Sequence, residues 1–128
     1  MSKRVLAALL ICLTCALTAV AQSASESTLA SVRRSDAADR DAQGKLRKLA
    51  QAEHMRRAAV YLSVRAFDEA RAHWQALIDN YPQDPRVPEA LLGIGRSYFL
   101  EKVYENGYRV FNHLVQDYGP TKEGREAL

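Results

Sequence analysis

Large apolar residues are unevenly spread along the chain. Val5 to Leu17 is almost continuously apolar, broken only by Cys12, Thr14 and Cys15. Residues 22–44 are dominated by Ser, Ala and Asp, with Leu29 and Val32 their only large apolar side chains. From about Lys45 apolar residues return at the three- and four-residue spacing of an amphipathic helix, and no Pro or Gly interrupts until Pro82. This pattern predicts a first helix from about Lys45 to a turn at Ala66-Phe67-Asp68, then helices over Phe67–Tyr81, Val87–Lys102 and Tyr104–Tyr118. Tyr81-Pro82-Gln83-Asp84-Pro85 stops the second, because a residue before proline is pushed out of the α region and proline lacks the amide a helix would use. Asp84 can cap the next helix, Pro85 suits a first helical position, and Gly119-Pro120 ends the fourth.

The helical part repeats itself at an offset of 37 residues. Tyr61 maps to Tyr98, Phe67 to Tyr104, Trp74 to Phe111, Leu77 to Leu114, Ile78 to Val115 and Tyr81 to Tyr118. Small residues correspond as well, Ala58 with Gly95 and Ala70 with Gly107. A repeat of this length made of two helices predicts an all-α solenoid of antiparallel hairpins. The small residues fall where the two helices of each hairpin would cross, letting the axes approach closely. Tyr61 with Trp74, and Tyr98 with Phe111, then fill the space beside each crossing as core.

On these residues the chain resembles the tetratricopeptide family, whose pattern is W-x2-L-G-x2-Y, then A-x3-F, then P. The second hairpin has Leu91-x2-Ile94-Gly95-x2-Tyr98, Gly107-x3-Phe111 and Pro120, one place late. The first has His54-x2-Arg57-Ala58-x2-Tyr61, Ala70-x3-Trp74 and Pro82. It departs from the family at His54 and Arg57, so its outer edge is expected to be exposed and terminal. The resemblance covers residues 50–128 and places repeat 1 at about 51–84, repeat 2 at about 88–121 and a partial third at 122–128, where Glu126-Ala127-Leu128 echoes Glu89-Ala90-Leu91. Phe67-Asp68-Glu69-Ala70, Tyr81-Pro82 and Pro88–Gly95 further resemble the bacterial envelope branch of the family. That branch includes the Tol-Pal accessory protein that coordinates cell division and the helical-repeat lipoprotein of the outer-membrane β-barrel assembly machine.

The family's first helices line a concave groove. Carried over by repeat position, the resemblance assigns Met55, Ala59 and Leu62 from the first hairpin, and Leu92, Arg96 and Phe99 from the second, to a protein-binding groove. Arg96, beside Gly95 on a mostly apolar helix, could hold a carboxylate bidentately. The implied function is an adaptor or scaffold that binds a protein or peptide in the cell envelope. Because the third unit is only begun, Val103, Val110 and Leu114 are expected to form an open apolar strip, making that end prone to homo-oligomerise.

The start of the chain points to export. Lys3 and Arg4 precede the apolar run, and Ala19-Val20-Ala21 gives the small-x-small pattern of a cleavage site, so residues 1–21 are expected to be a signal peptide cut after Ala21 and residues 22–44 a polar flexible linker to a domain at 45–128. The localisation expected is exported, periplasmic or cell envelope. Both of the chain's 2 cysteines, Cys12 and Cys15, fall within the signal, leaving a processed chain without disulfide or thiolate chemistry. Lipidation at Cys15 is the poorer reading, since Thr14 stands where a lipoprotein signal wants a small residue.

Charge adds a second possibility. The net charge is +3, but residues 33–57 hold eight basic side chains against four acidic ones. A basic segment from Lys45 to Arg57 could drive self-association or attachment to a membrane surface, with the hairpins as a spacer. No nucleic-acid partner is expected. Nothing in the sequence assembles an enzyme, a cofactor site or a metal site. His54, His73 and His113 share no repeat position or ligand spacing and are expected at or near the surface. Gly93-x-Gly95 lies within a helical pattern with no preceding strand, unlike a phosphate loop.

Overall fold

The computed structural model describes residue 22 and residues 25–128. The expected signal, residues 1–21, lies outside the described residues. The chain divides after Ala37 into two units. In the first, helix α1 is described over residues 25–38. A flexible linker was the expectation for 22–44, and this helix departs from it. The stretch is Ala-rich and has no Pro or Gly before Gly44, so its backbone can close local hydrogen bonds even though it carries little apolar surface.

The first hairpin starts later than the periodicity predicts. Asp41 accepts hydrogen bonds from the amides of Gln43 and Lys45, at 3.0 and 2.8 Å, in an Asx turn. Gly44 takes a φ of 78°, and Arg40 and Leu46 form an antiparallel bridge. Residues 45–50 are therefore not helical, and helix α2 runs Gln51–Ser63.

The remaining helices are α3 (Phe67–Asn80), α4 (Val87–Leu100), α5 (Tyr104–Tyr118) and a short α6 (Lys122–Glu126). Among the described residues there is no strand, and the chain forms two antiparallel hairpins, α2–α3 and α4–α5, with α4 packed on α3 and α6 packed on both α4 and α5. Ala58 and Ala70 are fully buried at the first crossing. At the second, a Cβ added to Gly107 would lie 3.4 Å from the carbonyl oxygen of Gly95, and one added to Gly95 would collide with the Phe111 ring. The crossing therefore sits where the repeat places it.

Both hairpins turn the same way. Arg65 and Lys102, 37 residues apart, are the non-glycine residues of positive φ among the described residues, at 60° and 64°. In each turn the chain closes a Schellman pattern: Ala66 N to Tyr61 O and Arg65 N to Leu62 O, then Val103 N to Tyr98 O and Lys102 N to Phe99 O. The first turn thus centres on Arg65, just ahead of the predicted Ala66-Phe67-Asp68. Asp84 does not cap α4 as expected, nor is Pro85 its first residue: the N-cap is Arg86, and Asp84 closes an Asx turn just ahead of it. Its carboxylate accepts from the Arg86 amide at 2.9 Å, and α4 begins at Val87 with Pro88 in its first turn.

The expected exposed edge of the first hairpin is not found. His54, Arg57 and His73 are buried. His54 stands one turn before Ala58, and His73 one turn after Ala70, so both fall on the crossing face. Their Nδ1 atoms meet at 3.1 Å, the Leu49 amide donates to His54 Nε2 at 3.4 Å, and Tyr61 stacks on His73 with centroids 5.7 Å apart. Arg57 donates to Asp39 at 2.9 Å and to Glu53 at 2.6 Å, and the paired charge can be buried where a lone one could not. Of the three histidines only His113 is exposed, 2.8 Å from Asp117.

A second correction concerns the C-terminal strip. Leu114 is fully buried and Val110 half-buried, while Val103 is exposed. Thr121 caps α6 by accepting from the Gly124 amide at 3.0 Å, and α6 folds back over this part of α5. The large apolar side chains left open there, besides Val103, are Leu100, Tyr104, Tyr108 and Leu128.

Candidate interaction groove

The first helices of the two hairpins, α2 and α4, border a groove of about 550 Å³. α2 supplies Ala52, Met55, Arg56, Ala59 and Leu62, one helix face by its three- and four-residue spacing. α4 and the residue before it supply Arg86, Glu89, Leu92, Gly93 and Arg96. Glu89, Leu92, Gly93 and Arg96 are the 37-residue counterparts of Ala52, Met55, Arg56 and Ala59, so the two walls are one repeat position used twice. Trp74 of α3 closes the floor. Its ring lies against Gly93, where a Cβ would come within 2.6 Å of Trp74 Cζ2. Glycine is what lets the indole sit flush between the hairpins.

Five of the six assigned groove residues line this space: Met55, Ala59, Leu62, Leu92 and Arg96. Phe99 does not. Its ring stacks on Phe111 at 5.3 Å and meets Tyr104 and Tyr108 edge-on at 5.5 and 5.1 Å, tucked against Gly107. Gly107 stands where Ala70 stands in the first hairpin, and the missing methyl admits the ring. Sequence reasoning missed Ala52, Arg56, Trp74, Arg86, Glu89 and Gly93. Helical spacing carried the signal for Ala52 and Arg56, which lie three or four residues from Met55 and Ala59 on one face of α2, and the repeat offset then maps them onto Glu89 and Gly93.

The groove is apolar inside and cationic at its rim. Arg56 is bound by Glu53 at 2.7 Å, Arg86 by Asp84 at 3.3 Å, and Arg96 by Glu126 of α6 at 3.0 Å. The Arg56 hydrogen bond draws the Glu53 carboxyl down to about 2; burial opposes this and Arg57 adds to it. The basic stretch of α2 is thus neutralised on the spot: Arg56 and Arg57 share Glu53, and Arg57 is buried. That removes two of the charges on which attachment to a membrane surface would depend. No helix among the described residues is long and apolar enough to cross a membrane. Nor does any group of three His, Cys, Asp or Glu side chains among them come together as a metal site.

Residues 54–84, which span most of α2, all of α3 and the turn that follows, match the family model of the tetratricopeptide repeat. The match falls on the first hairpin, the one with the unusual His54 and Arg57. No curated protein and no solved structure matches. Tetratricopeptide repeats are typically non-catalytic modules that bind other proteins, and the described residues have the fold of such a helical repeat.

Proposed function

We propose that the protein is an exported adaptor of the cell envelope that holds a segment of another protein in the groove between α2 and α4. The observation that supports this most is the pairing of an apolar floor, Met55, Leu62, Leu92 and Trp74, with Arg96 at the rim. An extended segment would place apolar side chains on the floor and a carboxylate on Arg96. That guanidinium already holds one carboxylate, Glu126, and is exposed enough to exchange it. The envelope location rests on the sequence of residues 1–21 and on the resemblance of Phe67–Gly95 to the envelope branch of the family.

The experiment is affinity capture from envelope extract with the chain processed after Ala21, compared with its Ala59→Glu and Arg96→Ala variants. Both positions are exposed, so the fold should survive each change. A partner retained by the parent and lost or sharply reduced with Ala59→Glu supports the reading. A partner captured equally by all three proteins sinks it.

A further inference from the structure

Residues 45–50 do not follow their own sequence. Lys45-Leu46-Arg47-Lys48-Leu49-Ala50 consists wholly of strong helix formers, and its periodicity runs unbroken into α2. Nothing local stops the helix at Gln51. Its N-cap is Ala50, which offers no side-chain hydrogen bond to the first turn and holds an extended φ of −61° and ψ of 147°. What keeps α2 from growing backwards is tertiary. Leu46 is buried and lines one small cleft with Ala72 and Ala76 of α3. The Arg47 amide donates to Asp39 O at 2.7 Å. Leu49 is clamped through both its backbone groups: Tyr81 Oη donates to its carbonyl at 2.8 Å, and its amide donates to His54 Nε2 at 3.4 Å.

The last of these bonds depends on a proton count. His54 and His73 are buried with their Nδ1 atoms 3.1 Å apart. One of those nitrogens carries a hydrogen and the other a lone pair. Because His54 Nε2 accepts from Leu49, His54 has its hydrogen on Nδ1 and donates it to His73 Nδ1, and the hydrogen of His73 is on Nε2. Both rings are then neutral. A further proton meets two lone pairs, and both are in use. At His54 Nε2 it turns the acceptor of the Leu49 amide into a donor. At His73 Nδ1 it drives the hydrogen of His54 across to Nε2, with the same result. Charged side chains on the neighbouring elements are engaged: Arg57 with Asp39 and Glu53, and Lys48 with the Tyr81 ring. Tyr61, stacked on His73, is uncharged where histidine titrates. Asp36 is a buried carboxylate of the first unit, and its neutral variant serves as a control below.

We propose that residues 45–50 are a pH-operated two-state segment. They are clamped to the buried histidine pair while both rings are neutral, and they are released to extend α2 toward its N-terminus when the pair takes up a proton. Opening frees the rings to charge, so protons favour the open state. The clamp is complete above the ordinary histidine value of about 6.5 and is lost as pH falls below it. In sequence the segment joins the first unit to the hairpins, so its change of state alters the reach of that connection. The device lies apart from the groove and does not rest on the groove reading.

The test is NMR on the isotopically labelled chain from Gln22 to Leu128. At about pH 7.5, correlation of ring protons with ring nitrogens should show both rings of the pair neutral, His54 protonated on Nδ1 and His73 on Nε2. A charged ring or the opposite tautomers at that pH overturns the proposal. Between about pH 7.5 and 5.5 the backbone carbon shifts of residues 45–50 should move to helical values and circular dichroism should gain helix, while α4 and α5 stay unchanged. A gain of helix separates release from unfolding, which would lose it. His54→Gln together with His73→Gln removes both titrating rings, and residues 45–50 should then give the same shifts at both pH values. Asp36→Asn should leave the transition in place. The proposal is overturned if residues 45–50 keep non-helical shifts in acid, if they lose order together with α2, or if the double variant still responds to pH. A transition abolished by Asp36→Asn also overturns it, because that carboxylate is then the titrating group. Should the double variant not fold, the tautomers and the transition of the parent decide.

Discussion

Arg65 and Lys102 show how strictly the repeat is built at the level of single residues. A non-glycine residue at positive φ costs about 1–2 kcal/mol, because Cβ crowds the following carbonyl. The hairpin turn nevertheless demands that conformation twice, at the same repeat position. Arg65 offsets part of the cost: its guanidinium donates to Leu100 O at 3.3 Å and lies over the Phe67 ring at 5.1 Å. Lys102 is exposed, which makes it the clean test. Lys102→Gly should stabilise the fold by about 0.5–1 kcal/mol, the strain relieved less the greater chain entropy of glycine. A differential scan would read this as a melting point higher by a few degrees. Glu53 sets the pH response at the same scale. Its folded carboxyl lies at about 2 against an ordinary 4.5, so its contribution is complete above about pH 4.5 and disappears as pH falls through 2. Melting curves of the parent and Glu53→Gln should therefore differ by a constant amount at neutral pH and converge between pH 4.5 and 2. A gap that persists at pH 2 would show that the carboxylate is not the source.

At the level of helices, the close crossings and one cross-link hold the structure together. Gly95→Leu drives a side chain into the Phe111 ring, and overpacking of this kind costs about 1–3 kcal/mol. In a domain of two hairpins that is enough to lower the melting point by roughly 4–20 °C, with α4–α5 the hairpin lost. An unchanged melting point would mean that the helices do not cross there. Arg71 joins the two hairpins, reaching from α3 to Ser97 and Glu101 of α4 with its guanidinium 4.3 Å from the centre of the Tyr98 ring. Burial opposes its charge, but the hydrogen bonds to Glu101 and Asp68 outweigh that and raise its pKa above the usual arginine range. Arg71→Met keeps the length of the stem and removes the charge-assisted bonds, at a cost of about 1–3 kcal/mol. Hydrogen exchange should then quicken first along the α3–α4 seam; a slowdown or no change there would contradict the cross-link.

For the molecule as a whole, the proposed route to the envelope makes one firm demand. Material recovered from the producing cell should begin at Gln22, read by N-terminal sequencing or intact mass. A lipid-modified Cys15 would overturn it. The repeat architecture was legible without coordinates because it depends on spacing. Helical periodicity, proline stops and small residues at fixed offsets are local or near-local signals. They predicted α5 to the residue and both crossings correctly. Of the six residues that the family resemblance assigned by repeat position, five line one cavity between α2 and α4. Phe99 escaped because its place depends on Gly107, a difference between the two hairpins that matters only once the helices are packed.

The sequence by itself determined that the chain is helical and that its hairpins repeat, because both follow from the order of apolar, small and helix-breaking residues. Tertiary structure alone decided where polar residues went. Residue type argued that His54, His73 and Arg57 belong outside, yet packing buried all three, since the histidines face each other and Arg57 meets Asp39 and Glu53. It likewise decided which apolar surface stayed open, burying Leu114 and leaving Tyr104 and Tyr108 uncovered. A buried polar group is tolerated only when its partner arrives from elsewhere in the chain, and an apolar one stays exposed only when no neighbour reaches it. Both conditions are set by contacts distant in sequence, and no local pattern records them.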